Sequence, residues 1–453
     1  MTSSGEPVST PTTGEQTALV DSAVRRSAKR LIPFLLLMYV IAFLDRSNVG
    51  FAKEELEADI GLSAAAYALG AGLFFVGYAL FEVPSNLIMH RVGARWWMAR
   101  IMVTWGIIAT AFMFVQGETM FYVLRFLLGV AEAGFFPGVL LYLTYWFPED
   151  RRAFATGLFQ MGLPLANIVG GPLSGGLLEL DGFGGLAGYQ WLFMVEGVLA
   201  VLVGIVAVFY LTDRPEKAAW MPAPERDALL ARLEADNADR AAVGGHQGWA
   251  KALLNPRVLY FCLICLCIQA AVYGLTFFLP TQVASITGRD VGFQVGLLTS
   301  IPWACAFVTI ALLPRFADRT GRHREIGAAL LVLSGIGIAV SAVAENAVVA
   351  IVALCVAAVG FVTCQPLFWT LPTRYLSGAA LAAGFGLING LGNLGGFIAP
   401  NIRVWAEETF DSSTAGLFAL AGMAVLGALF LLGTRFLRTA PADAPATTAD
   451  AVR

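Results

Sequence analysis

Twelve long apolar stretches separated by short polar breaks dominate the chain, at 31–51, 63–90, 96–116, 119–146, 153–179, 190–212, 257–286, 291–317, 325–343, 346–371, 379–405 and 413–437. A helix that crosses a bilayer needs about 20 mostly apolar residues, so each stretch predicts one spanning helix. One polar segment, 213–256, is long, and it divides the spans into two sets of six. Within it, Leu229, Leu230 and Leu233 recur at helical spacing between Pro224 and Ala235, which predicts a short amphipathic surface helix. The expected fold is an all-α membrane protein with twelve transmembrane helices in two pseudo-symmetric six-helix bundles, 29–212 and 257–438. The tails, 1–28 and 439–453, are rich in Ser, Thr, Pro and Ala and read as disordered and cytoplasmic. The start does not read as a cleavable signal peptide, because the first apolar run is long enough to span.

Composition agrees with that pattern. Hydrophobic residues make up 58% and charged residues 13%, with a mean hydropathy of +0.72, against roughly 45–50% and 25% in soluble domains. Too few charges remain to build a water-facing surface. The net charge of -3 gives no basis for a nucleic-acid partner. Six cysteines, Cys262, Cys265, Cys267, Cys305, Cys355 and Cys364, all fall in apolar stretches without a nearby histidine, so buried thiols are expected and no metal or cofactor.

The placement of basic residues carries more than their number. Arg25, Arg26, Lys29 and Arg30 precede span 1, Arg91 and Arg95 follow span 2, and Arg151 and Arg152 follow span 4. The opposite loops carry Glu54, Glu55, Glu57, Asp59, Glu118, Glu179 and Asp181. Basic loops stay in the cytoplasm, which predicts cytoplasmic termini and a bacterial inner membrane.

The loop after span 8 contains Asp318-Arg319-Thr320-Gly321-Arg322, and Asn86 to Arg95 repeats it in degenerate form. It resembles the Asp-Arg-x-Gly-Arg-Arg signature of the major facilitator superfamily. Gly321 would make the turn, and Asp318, Arg319 and Arg322 would pair as a gate between cytoplasmic helix ends.

An ionisable side chain at the centre of a span costs about 2.5–3.5 kcal/mol even on mild scales, so each invites a function. Asp45, Arg46, Arg125 and Glu132 stand out. Seven residues make about two helical turns, which puts Arg125 and Glu132 on one face, able to line one cavity. An arginine contact made or broken changes a buried carboxylate's hold on its proton. Asp45 against Arg125 is the expected pair, with Glu132 the less partnered acid. Asp45, Glu132 and Arg125 are therefore the candidate proton-coupling residues, and Arg46 is left to grip a substrate carboxylate bidentately.

At these residues the sequence resembles the anion:cation symporter family of the superfamily, tartrate-type permeases above all, with galactonate and phthalate-type permeases also similar. The matching stretches are Phe43 to Gly50, Phe81 to Asn86, Leu124 to Pro137, Phe368 to Pro372 and Ile388 to Gly396. The resemblance implies proton-driven uptake by alternating access of tartrate, a sugar acid or another carboxylate. Protons are then the coupling ion, and a monomer in the lipid bilayer is expected. It also implies pocket roles for Tyr78, Gln160, Trp369 and Asn389, which match the pocket positions of similar galactonate permeases. Asn393 shares the stretch of Asn389. The tyrosine that similar galactonate permeases carry two residues before the acid of span 1 is Phe43 here, and Tyr273, Gln269 and Gln365 are the candidates to replace its hydroxyl.

Two other readings compete. Gly171-Pro172-Leu173-Ser174-Gly175-Gly176 partly matches a glycine-rich motif of drug/proton antiporters, so a proton-coupled efflux antiporter or organic-anion exchanger is the alternative. An enzyme is not expected, because His90, His246 and His323 sit at or beyond span ends and no nucleophile, base or metal constellation accompanies them.

Overall fold

The computed structural model describes residues 13–243, 255–372 and 378–437. Among them, eleven helical passes are long and apolar enough to cross a membrane. The twelfth, expected at 379–405, is made of two shorter helices, Gly378–Asn393 and Gly395–Thr409, interrupted at Leu394. Span 4 is likewise two helices, Gly117–Glu132 and Phe135–Thr144, joined through Gly134 at φ 85°. Only glycine adopts that angle without strain, and a Cβ there would also collide with Ser85. Span 5 breaks between Glu149–Gln160 and Gly162–Leu178. Pro164 has no N–H to return to the carbonyl of Gln160, so this break falls beside a predicted pocket residue.

Hydrogen bonds at the helix ends sort the loops onto two sides. On one, here the near side, Glu225 of the central segment accepts from Arg26 Nε at 2.8 Å and Ser22 Oγ at 3.0 Å, while the Tyr210 hydroxyl donates to the carbonyl of Arg30 at 2.9 Å. The Tyr260 hydroxyl donates to the carbonyl of Phe430 at 2.7 Å, tying the start of span 7 to the end of span 12. On the far side, Glu55 accepts from the backbone N–H of Tyr189 at 2.6 Å. The predicted amphipathic helix exists as Ala223–Val243, with Leu229 and Leu233 buried.

The expected disordered tail 1–28 needs correction. Helix Thr13–Phe51 runs unbroken from before span 1, and Ala23, Val24 and Ser27 are buried where it packs against Ala223–Val243. The cause is local, since Val20, Ala23, Val24 and Ser27 follow helical spacing and form a packing face. Residues 1–12, 244–254 and 438–453 lie outside the described residues, and with them the expected tail 439–453.

The two six-helix sets meet along two seams on the far side. Gly171 on span 5 and Gly296 on span 8 are so close that a Cβ on either would strike the other's carbonyl, and a Cβ on Gly175 would strike the carbonyl of Gly292. Ser300 Oγ donates to the carbonyl of Ile168 at 2.8 Å, and Glu179 accepts from the N–H of Phe293 at 2.9 Å. Spans 2 and 11 form the second seam, where Gly72 lies against Phe397 and Asn401, and Asn401 donates to the carbonyl of Ala68 at 3.4 Å. Toward the near side, a Cβ at Gly157 or Gly386 would meet nothing within 4 Å. The far side is therefore shut, and the space between the sets lies beneath it.

Candidate substrate cavity and buried ion network

That space is a cavity of about 770 Å³, its open mouth included. All seven predicted substrate residues line it: Arg46, Tyr78 and Gln160 from the first set, and Tyr273, Trp369, Asn389 and Asn393 from the second. Gln269, Gln365 and Phe43 are on the same wall. The three candidates to replace the missing hydroxyl, Tyr273, Gln269 and Gln365, thus line the same cavity as Phe43, a placement sequence could not give.

Arg46 is the charged side chain on this wall. Its Nε donates to Glu132 Oε1 at 2.7 Å, with Nη2 reaching the same oxygen, and its Nη1 donates to the Tyr273 hydroxyl at 3.1 Å across the two sets. Phe43, Phe74 and Tyr78 surround the guanidinium with ring centroids at 5.1, 5.3 and 5.0 Å. Such faces favour a cation, so Phe43 contributes to the site through its ring.

The expected pairing is corrected on two counts. Arg125 does not bridge to Asp45 by a hydrogen bond; it donates to the carbonyls of Gly70 at 3.4 Å and Ala71 at 3.2 Å. Glu132, expected to have fewer partners, is the acid that holds Arg46. Nor do Arg125 and Glu132 line the cavity: both are fully buried behind Arg46. The reason is angular. Successive residues of a helix point about 100° apart, so Arg46 faces the cavity and Asp45 turns into the first set. Arg125 and Glu132 do share a face of helix Gly117–Glu132, but that face packs inside the first set, where Glu132 meets Arg46, and not onto the cavity.

Asp45 sits in a second polar cluster. Asn48 Nδ2 lies 3.4 Å from Asp45 Oδ1 and donates to Glu196 Oε2 at 3.0 Å, and Ser174 donates to Glu196 Oε1 at 2.8 Å. A fourth buried acid, Glu82, accepts from Asn389 at 2.8 Å across spans 2 and 11. Sequence reading missed Glu82 and Glu196 as embedded charges. Both signals were present, since each acid lies inside a predicted apolar span.

In the loop after span 8, Gly321 has φ 67° and its N–H donates to the carbonyl of Ala317 at 2.8 Å, the expected turn. Arg319 and Arg322 are exposed, and the side chain of Asp318 lies outside the described residues. Cys265 lines the cavity, and Cys262 and Cys267 are buried on the same helix.

Two six-helix sets enclosing a central polar cavity, closed on one side, define a membrane transporter and not an enzyme. The chain belongs to the Major Facilitator Superfamily, whose family model matches residues 35–400. It is 49% identical to the inner membrane transport protein RhmT of Escherichia coli, over 93% of this chain and 97% of that one. It is 44% identical to a putative tartrate transporter of Agrobacterium vitis, over 90% of each chain. A quinolone resistance transporter of Acinetobacter baumannii is 40% identical, over 89% of this chain and 92% of that one. Among solved structures, a bacterial homologue of the human lysosomal transporter Spinster in an inward-facing, unoccupied conformation superposes with a TM-score of 0.73 at 16% identity, covering 92% of this chain and 99% of that one. At that identity the likeness speaks for the fold alone.

Proposed function

We propose that the protein is a proton-coupled symporter that takes up a small organic anion, a hydroxylated carboxylate such as tartrate or a sugar acid, by alternating access. The carrying observation is that Arg46 stands on the cavity wall with its guanidinium shared between Glu132 and Tyr273. A substrate carboxylate arriving at Arg46 would place two anions on one cation. Two unit charges 4 Å apart interact by roughly 4 kcal/mol at an effective dielectric of about 20. A proton on Glu132 removes that repulsion and frees Arg46 for the ligand, so anion and proton bind together. Asp45 is the second proton site, with Arg125 nearby as the cation that acts on it. Tyr78, Gln160, Trp369, Asn389 and Asn393 supply donors and ring faces for the hydroxylated remainder, and the Asp318 to Arg322 turn gates the near side. The coupling ion is the proton and no cofactor takes part.

The near side is read as the cytoplasm of a bacterial cell and the bilayer as its inner membrane. Support comes from Arg26, Arg30, Arg95 and Arg151 beside near-side contacts, and from Glu55, Glu179 and Asp181 on the far side. The working unit is the monomer.

The test is accumulation of tartrate and of sugar acids in proteoliposomes with and without an imposed proton gradient. Accumulation that follows the gradient supports symport, and gradient-independent equilibration of every anion rejects it. The quinolone resistance relative keeps proton-driven efflux as the second reading. Expulsion of an organic cation against its gradient, with no anion uptake, would establish that reading.

A further inference from the structure

The cluster behind the cavity holds more acid than the coupling scheme above uses. Asp45, Glu132 and Glu196 are 2%, 0% and 1% exposed, and two buried guanidiniums accompany them. One, Arg46, is taken by Glu132, and the other, Arg125, by two backbone carbonyls. Glu196 is hydrogen-bonded to Ser174 and Asn48, both neutral. A single amide nitrogen, Asn48 Nδ2, therefore stands between two carboxylates, at 3.4 Å from Asp45 and 3.0 Å from Glu196. Asn48 itself is 1% exposed. Its carbonyl oxygen and Asp45 Oδ2 are both buried acceptors with no donor. An unsatisfied buried acceptor costs about 1–3 kcal/mol, and a carboxylic O–H is the donor that would satisfy either.

We propose that Asp45 and Glu196 form a proton-holding pair bridged by Asn48, which makes Glu196 a third protonatable carboxylate of the coupling network. The inference rests on the symport reading for its purpose, though the pair itself does not need it. The step is a simple protonation: one proton from water converts one of the two carboxylates to the acid, returns to water on release, and no other bond changes. The groups that act on the pair from neighbouring elements are Arg125 and Glu132 on span 4 and Ser174 on span 5.

An anchor for Asn48 and Ser174 would need only a neutral acceptor, and glutamine would serve. A carboxylate in its place is expensive in hydrocarbon, so the chain retains a charge where geometry asks for none. Position gives that charge a use. Ser174 adjoins Gly175, which is pressed against Gly292 of span 8 in the far-side seam. The Glu196 end of the pair therefore lies beside the contact that must part when the far side opens, while its Asp45 end lies beside Arg46.

The experiment is an infrared titration of the purified full-length chain with pH as the only probe, since the C=O stretch of a buried carboxylic acid is separate from that of a carboxylate. Wild type is expected to show a protonated-carboxyl band that the Glu196→Gln variant loses or diminishes, and whose midpoint moves in Asp45→Asn by about one pH unit or more. Ser174→Ala leaves every carboxylate in place and is a mild cavity change, so it stands in if Glu196→Gln fails to fold; it too should move the midpoint. A band unaltered by Glu196→Gln, or by Ser174→Ala where that variant stands in, overturns the pair even if uptake proves proton-driven. A band that responds as expected in a chain whose anion uptake ignores the proton gradient keeps the pair and rejects the symport reading.

Discussion

The two six-helix sets share a fold and divide the chemistry. The first carries Asp45, Arg46, Glu82, Arg125, Glu132 and Glu196, all buried. Among the described residues, the second contributes amides and rings to the cavity, namely Gln269, Tyr273, Gln365, Trp369, Asn389 and Asn393, and its buried arginine, Arg403, is tied to Glu407 at 2.8 Å away from the cavity wall. Pseudo-symmetry is thus a property of the packing alone. A charged set can respond to protons, and an amide set can recognise hydroxyls at any pH. The Arg46 bond to Tyr273 and the Glu82 bond to Asn389 are where the two chemistries touch.

The largest expected effect comes from breaking the charged set at its centre. Glu132→Ala leaves Arg46 buried without its anion and should lower stability by about 3–5 kcal/mol, the usual consequence of removing one partner of a buried pair. Thermal unfolding in detergent checks this. Glu132→Gln should keep the fold and abolish proton-driven accumulation. If accumulation in Glu132→Gln still follows the proton gradient, the first set is not the coupling set.

Next is the seam that joins the sets. Gly171→Val puts side-chain atoms where the Gly296 carbonyl stands, so the far-closed state should be inaccessible and net uptake lost, while ligand binding to the purified protein remains. Retained turnover would show that the far-closed state does not need the close approach of spans 5 and 8.

At the cavity wall, Arg46→Ala should weaken binding of the carboxylate about 100-fold, since charge-assisted hydrogen bonds contribute roughly 1.5–3 kcal/mol each. Lysine should not restore it, because the planar fork that serves Glu132 and Tyr273 together is lost. Calorimetric titration with the transported anion reads this directly.

In the amide set, Asn393→Ala or Gln269→Ala removes one side of a 3.0 Å hydrogen bond. Each should raise the KM about fivefold, for roughly 1 kcal/mol, and leave the pH profile of uptake where it was. A moved profile would erase the distinction between the sets.

The smallest effect is expected outside the membrane. Hydrogen bonds from Arg26 hold the Glu225 carboxyl below the usual carboxylate value. A depressed value in the folded state means the stabilisation is full at neutral pH and is lost as pH falls through that value. Glu225→Gln should therefore cost about 0.5 kcal/mol at neutral pH, less at acid pH, and leave transport unaffected.

Much of this was legible before the structure. Span length and spacing gave the twelve passes, and the embedded positions of Arg46 and Glu132 marked the site. The misreadings have one source, because sequence supplies depth along a helix but not the neighbour on its other side. Counting seven residues from Arg125 to Glu132 rightly put both on one face of helix Gly117–Glu132, but the count could not say that this face packs inside the first set and not on the cavity. Glu82 and Glu196 lie about as deep in their apolar stretches as Asp45 and Arg125 do, and their burial in the packed molecule is what groups them with those charges.

By itself, then, the sequence determined that the chain lives in a bilayer, crosses it in two sets of six, and keeps charge where hydrocarbon penalises it, because hydropathy and chain length act locally. Tertiary structure decided who holds whom. Arg46 belongs to Glu132 and not to an empty site, Asn48 stands between two acids, and the amide wall comes from helices more than 200 residues away, as the Arg46 to Tyr273 bond does at a separation of 227. Pairing depends on the angle at which each helix presents its residues and on where a glycine or proline breaks it, and those are properties of the packed molecule.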